Sequence, residues 1–79
     1  MMKVEVLVSN WCGKCRQAKK ILEEYPVEWV LYNSPAGIKL LNQFKIEKIP
    51  AFVINKESMT YSILEVRDLF NNAKEKEDV

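Results

Sequence analysis

The reactive groups of this 79-residue chain are concentrated in one short stretch, Trp11-Cys12-Gly13-Lys14-Cys15, which holds both of its cysteines. Thiols so placed can exchange with a disulfide, ligate a soft metal, close a structural bridge or simply pack. A structural bridge across so short a loop removes little entropy from the unfolded chain, roughly 2 kcal/mol against about 4.7 for a hundred-residue loop. Structural zinc takes four sulfur or nitrogen ligands. A chain with two cysteines and no histidine would have to share such a metal with a second subunit. Inert packing fits poorly with Gly13 and Lys14 between the thiols, and the spacing alone is a weak signal. Reversible redox exchange suits these residues best, with the Cys12–Cys15 disulfide as its own redox group and no metal or other cofactor expected.

Exchange requires one activated sulfur and one shielded sulfur. Upstream, Val4, Val6 and Val8 alternate with Lys3, Glu5 and Ser9, which predicts a strand over about residues 3–8. Ser9-Asn10-Trp11 then turns into a helix on which Ala18, Ile21, Leu22 and Tyr25 recur at helical spacing, to about Glu24 or Tyr25 before Pro26. The dithiol therefore opens a helix. Unpaired backbone N–H groups and the helix dipole favour an anion there, and Lys14 and Arg16 act in the same direction on Cys12. Counting back from Tyr25 through Leu22 and Ala18 reaches Cys15, on the buried face, whereas Cys12 precedes the first turn and is expected in solvent. Cys12 is then the nucleophile toward a disulfide, and Cys15 resolves the mixed disulfide.

The rest of the chain reads as a frame for this corner. Val27, Trp29 and Leu31 alternate with Glu28 and Val30 as a second strand, parallel to the first. Ser34 caps a second helix with Pro35 at its first position, and Leu40, Leu41 and Phe44 form its apolar stripe, with Gly37 at a close backbone approach. Ala51 to Ile54 is a buried strand entered at Pro50. A loop over Asn55 to Ser58 leads to a short antiparallel strand, Met59 to Tyr61. Ser62 and Glu65, at capping-box spacing, start a last helix with Val66, Leu69, Phe70 and Ala73 on one face, and residues 74–79 read as a frayed tail.

Length and charge set bounds. The chain has room for one domain, residues 1–79, with a small core, and its formal net charge of +1 with no aromatic–basic interleaving gives no sign of nucleic acid. No membrane partner is expected, since no apolar run reaches a span and Met1-Met2-Lys3-Val4 lacks the apolar region of a signal peptide. A cytoplasmic monomer is expected, and in that compartment a lone C-x-x-C is catalytic or metal-binding more often than structural.

The order βαβαββα, the motif Trp11-Cys12-Gly13-Lys14-Cys15 after the first strand, and Ile49-Pro50 before the third together resemble the thioredoxin/glutaredoxin superfamily in its small, glutaredoxin-sized form. The resemblance implies an α/β thioredoxin fold, a four-stranded mixed sheet flanked by three helices. It implies that Pro50 is cis beside the cysteines, and that the Ile49 backbone pairs with an extended substrate segment. Trp11, Gly13, Lys14 and Pro50 would support the dithiol, and Trp11, Ile49 and Pro50 would bind substrate. Trp11 and Ile49 are the exposed apolar residues expected around Cys12; the competing assignment for Trp11 is the core. The implied activity is reduction of protein disulfides, recharged by a thioredoxin-reductase-like flavin enzyme or by glutathione.

Departures from that family pattern are informative. Val6 stands where thioredoxins carry a buried acid, and Glu5 and Glu47 are expected in solvent, which leaves Cys15 without an evident base. Lys14 replaces a proline and should raise the reduction potential by favouring the Cys12 thiolate, with the potential expected between roughly −270 and −180 mV. Tyr61-Ser62-Ile63-Leu64-Glu65 lacks the glycine pair with which glutaredoxins hold glutathione. The alternatives are a glutathione-linked activity and a non-catalytic module binding a metal through an intersubunit cysteine pair.

Overall fold

Val4–Val8 forms the first strand, β1, and all five of its residues are buried. The computed structural model describes residues 2–77, and side chains as far as residue 72. After β1 come α1 (Gly13–Ile21), β2 (Val27–Leu31), α2 (Pro35–Phe44), β3 (Ala51–Ile54), β4 (Ser58–Thr60) and α3 (Ile63–Glu77), the expected order of elements. The strands make a four-stranded mixed open sheet in the order β2-β1-β3-β4. β2 runs parallel to β1, while β3 is antiparallel to both β1 and β4.

The two faces of this sheet carry two separate cores. On one, Val4, Val6, Val8 and Phe52 meet Cys15 and Ala18 of α1, Leu22 just after it, and Val66 and Phe70 of α3. On the other, Leu7, Ala51 and Val53 meet Leu40 of α2. Successive side chains of a strand point to opposite faces, so an inner strand with helices on both sides is buried throughout. This corrects the expectation for Glu5. It is only 7% exposed, not in solvent. By alternation it shares the α2 face with Leu7, and its Oε1 has no hydrogen-bond partner. In β2 the buried residue is Val30, in register with Leu7, while Trp29 and Leu31 remain exposed at the sheet margin.

Local signals set the boundaries. Ser34 Oγ accepts from Gly37 N–H at 3.0 Å and donates to the Leu31 carbonyl at 2.7 Å, which ties the start of α2 to the end of β2. α1 stops earlier than the apolar spacing suggests. Leu22 is its C-cap, with Lys19 and Lys20 complementing the dipole in the last turn, whereas Glu23 and Glu24 would oppose it. Tyr25 N–H turns back to the Leu22 carbonyl at 3.0 Å, and the Tyr25 ring stacks on Phe70 at 5.0 Å. The β3–β4 turn is tighter than expected. Asn55 and Lys56 both adopt positive φ, and Glu57 N–H reaches the Ile54 carbonyl at 3.0 Å, so β4 begins at Ser58.

At α3, Ser62 Oγ accepts from Glu65 N–H at 3.2 Å. The reciprocal half of the capping box runs through Thr60, whose hydroxyl accepts from Ser62 N–H at 3.1 Å and donates to Glu65 at 2.8 Å. Helix α3 continues to Glu77 where a frayed tail from residue 74 was expected; residues 78 and 79, and the side chain of Ala73, lie outside the described residues. No helix among the described residues is long and apolar enough to cross a membrane.

The two glycines have opposite surroundings. A Cβ at Gly37 would lie 2.1 Å from the Leu31 carbonyl oxygen, an approach backbone atoms cannot absorb, whereas one at Gly13 would meet nothing within 4 Å. Gly37→Ala should therefore destabilise the chain by at least about 1–3 kcal/mol, and Gly13→Ala should stay within about 0.5 kcal/mol of the wild type. Urea unfolding of the two variants checks both values.

Candidate functional site

The site lies where β1 ends and α1 begins. Cys12 is the N-cap of α1, in extended conformation at φ −89° and ψ 116°. Its sulfur occupies the position of a capping oxygen and accepts from Cys15 N–H at 3.3 Å. Its carbonyl receives Arg16 N–H, also at 3.3 Å. Both cysteines are free thiols. Cys15, on the core face of the first turn, is 1% exposed and belongs to the buried cluster that also holds Val8, Ala18 and Phe52. The helical phase therefore places Cys15 as the spacing predicts. Cys12 is half-buried and not fully in solvent, because it packs against the edge of the same core.

The electrostatics of the two sulfurs diverge. Cys12 is held below the usual thiol pKa, first by the hydrogen bond from the Cys15 thiol, then by the backbone N–H groups of Cys15 and Lys14 and by the Lys14 charge, against some desolvation. Of the two cations expected to help, Lys14 acts on this sulfur. Burial pushes Cys15 up to about 11, and the neighbouring Cys12 sulfur adds to the rise. Val6, fully buried, lies on the same face as Cys15, and Glu5 belongs by alternation to the opposite one. Glu47 is exposed. Among the described residues no buried carboxylate accompanies Cys15.

The second wall of the site is the segment before β3. The Ile49–Pro50 bond is cis, as the resemblance implies, and Pro50 is buried. The Ile49 carbonyl lies 4.0 Å from Cys12 Sγ, a long thiol contact. Ile49 makes no backbone–backbone hydrogen bond among the described residues, and its carbonyl faces the Cys12 thiol. Its side chain is half-buried against both cores rather than exposed, which corrects its expected role as an apolar rim residue. Trp11 is 84% exposed, so the core assignment does not apply to it. Gly13 and Lys14 are also exposed at the start of α1.

Tyr61 also contributes to this wall, although nothing local in the sequence points to it. Its hydroxyl accepts from Glu47 N–H at 3.1 Å, and Lys48 Nζ sits 4.9 Å from its ring centroid, so the last turn before α3 pins the segment that carries Ile49. No group of three or more potential ligands for a metal ion occurs among the described residues. A metal on this dithiol would need donors from elsewhere. Compared with family models and with curated proteins, the chain matches none.

The divergence of the thiols gives a direct expectation. In iodoacetamide alkylation followed by mass spectrometry against pH, Cys12 reacts at a pH below the usual thiol range, and Cys15 stays unmodified until the pH approaches about 11. Cys15→Ala removes the largest source of Cys12 stabilisation and should move the Cys12 midpoint to higher pH. The stability that the reduced chain gains from holding Cys15 as a neutral thiol is present at neutral pH and is lost as the pH rises from the ordinary thiol range through about 11.

Proposed function

We propose that the chain is a small thiol–disulfide oxidoreductase of the thioredoxin/glutaredoxin kind, with that fold, which reduces protein disulfides through Cys12 and Cys15. The observation that carries this reading is the pairing of a helix-capping, half-buried sulfur with a fully buried thiol one turn away. A structural bridge or an inert packing pair has no need of that asymmetry. The open Ile49 backbone facing Cys12 supports the same reading, because an extended substrate segment can pair with it as an added strand.

In the first step the Cys12 thiolate attacks one sulfur of the substrate disulfide. A Cys12–substrate disulfide forms, the substrate S–S bond breaks, and the departing thiolate takes a proton. In the second, the Cys15 thiol gives up its proton, to the departing sulfur or to water, and attacks the Cys12 sulfur. The Cys12–Cys15 disulfide closes, and the substrate leaves as a dithiol. Two electrons and two protons have passed to the substrate. Lowering the Cys12 pKa supplies thiolate for the first step, and the bond from Cys15 N–H to Cys12 Sγ at 3.3 Å keeps the resolving residue beside the attacked sulfur for the second. Burial keeps Cys15 protonated at neutral pH, so the second step requires its deprotonation. Recharging requires two electrons from a thioredoxin-reductase-like enzyme or from glutathione, in the reducing cytoplasm.

Mixed-disulfide trapping tests this. Cys12→Ser should abolish reduction of a protein disulfide, and Cys15→Ser should react once and stall as a dithiothreitol-sensitive adduct through Cys12. Stoichiometric zinc in the purified chain, with no such adduct, would instead support the intersubunit metal module. Lys14→Gln should lower the reduction potential, because removing the cation destabilises the thiolate of the reduced form. Titration against glutathione measures that direction.

A further inference from the structure

Helix α1 contains Lys14, Arg16, Lys19 and Lys20 and no acidic residue, in a chain whose other residues are net acidic, with eight cations against eleven acids. Arg16, Lys19 and Lys20 follow Cys12 at spacings of three and four, so they form one flank of the helix leading away from the reactive sulfur. That flank ends in a shallow groove of about 600 Å³ between α1 and the sheet margin, lined by Lys19, Lys20, Glu23 and Trp29. Trp29 is 36% exposed there, with Lys19 Nζ 5.9 Å from its ring centroid.

Helix-dipole complementation accounts for Lys19 and Lys20 in the last turn, but not for Arg16 in the first, where a cation opposes the dipole. Nor does it account for an indole left open beside them on a strand whose neighbour Val30 is buried. A track of positive charge ending at a partly open aromatic ring complements a polypeptide segment that carries carboxylates and one apolar side chain.

We infer that the Arg16–Lys20 flank of α1 and the Trp29 groove dock an acidic segment of the protein whose disulfide is reduced, adjoining the cysteine that Cys12 attacks. The inference rests on the proposed redox function and specifies its substrate class. The geometry sets the spacing. From Cys12 to Lys20 the helix rises about 12 Å, at about 1.5 Å per residue, and an extended segment covers that in about four residues at about 3.3 Å each. The acidic residues of the partner therefore lie about three to five positions from its reactive cysteine. Glu23 closes the far end of the track and repels an acidic segment that runs further.

The test separates docking from chemistry. Trp11→Phe leaves Trp29 as the sole indole, so its fluorescence reports occupancy of the groove. The probes are a cysteine-free peptide with aspartates and one leucine, and a copy with asparagines in place of the aspartates. The acidic peptide should give a saturable change, weakened about tenfold between 50 mM and 500 mM salt and about tenfold by Lys20→Glu, with the neutral copy weaker throughout. Equal responses to both peptides, or no effect of salt and of Lys20→Glu, would overturn the docking proposal.

Single-turnover reduction by the reduced chain is then measured with the neutral 2,2′-dithiodipyridine and with a disulfide peptide bearing the acidic segment four residues from its cysteine. The ratio of the peptide rate to the dithiodipyridine rate should fall about tenfold in Lys20→Glu. An unchanged ratio would overturn the substrate assignment. Failure of the wild type to reduce dithiodipyridine, with peptide binding retained, would overturn the redox reading itself.

Discussion

Burial of β1 on both faces is the constraint on which the rest of this structure depends. A strand with helices above and below can donate no residue to solvent along its length, so it is continuous with the core until it ends. The first place where the chain can expose a reactive group is the turn after Val8. Helix α1 starts there and packs back over the same strand. The dithiol thus sits at a boundary that the packing creates, with Cys15 inside and Cys12 on the margin.

That boundary separates two sulfurs only three positions apart. The same hydrogen bond favours the thiolate at Cys12 and disfavours it at Cys15, because one proton shared between two sulfurs serves the acceptor as an anion and the donor as a thiol. Backbone N–H groups at the helix start add to the first effect, and burial adds to the second. A lysine in the first turn of a helix with no acid there works against the helix dipole, and at Lys14 that unfavourable placement coincides with a stabilised thiolate.

Much of this was legible in the sequence because it is local. Helical phase alone put Cys15 on the buried face, Ser34-Pro35 announced the start of α2, and Gly37 marked a close approach that the Leu31 carbonyl now explains. Features that depend on distant partners were not legible. The alternation around Glu5 suggests one wet face, and only the placement of α2 across the sheet turns it into a buried carboxyl. Tyr61 is fourteen residues from the Glu47 amide it accepts from, and Trp29 meets Lys19 across two elements. The early end of α1 reflects competition between an apolar period that continues to Tyr25 and charges that favour stopping after Lys20.

The strand order has a colloidal consequence. β2 lies at the end of the sheet, so one side of its five residues offers unpaired N–H and C=O groups, the kind of row that templates pairing between molecules. Exposed Trp29 and Leu31 would add apolar contact to any such pairing. The guards are local: Pro26 just before the strand, and the Glu28 carboxylate, 3.9 Å from Lys3. Because the sheet is not closed into a barrel, it keeps two open edges, and β2, five residues long against three for β4, offers the longer row for pairing between molecules.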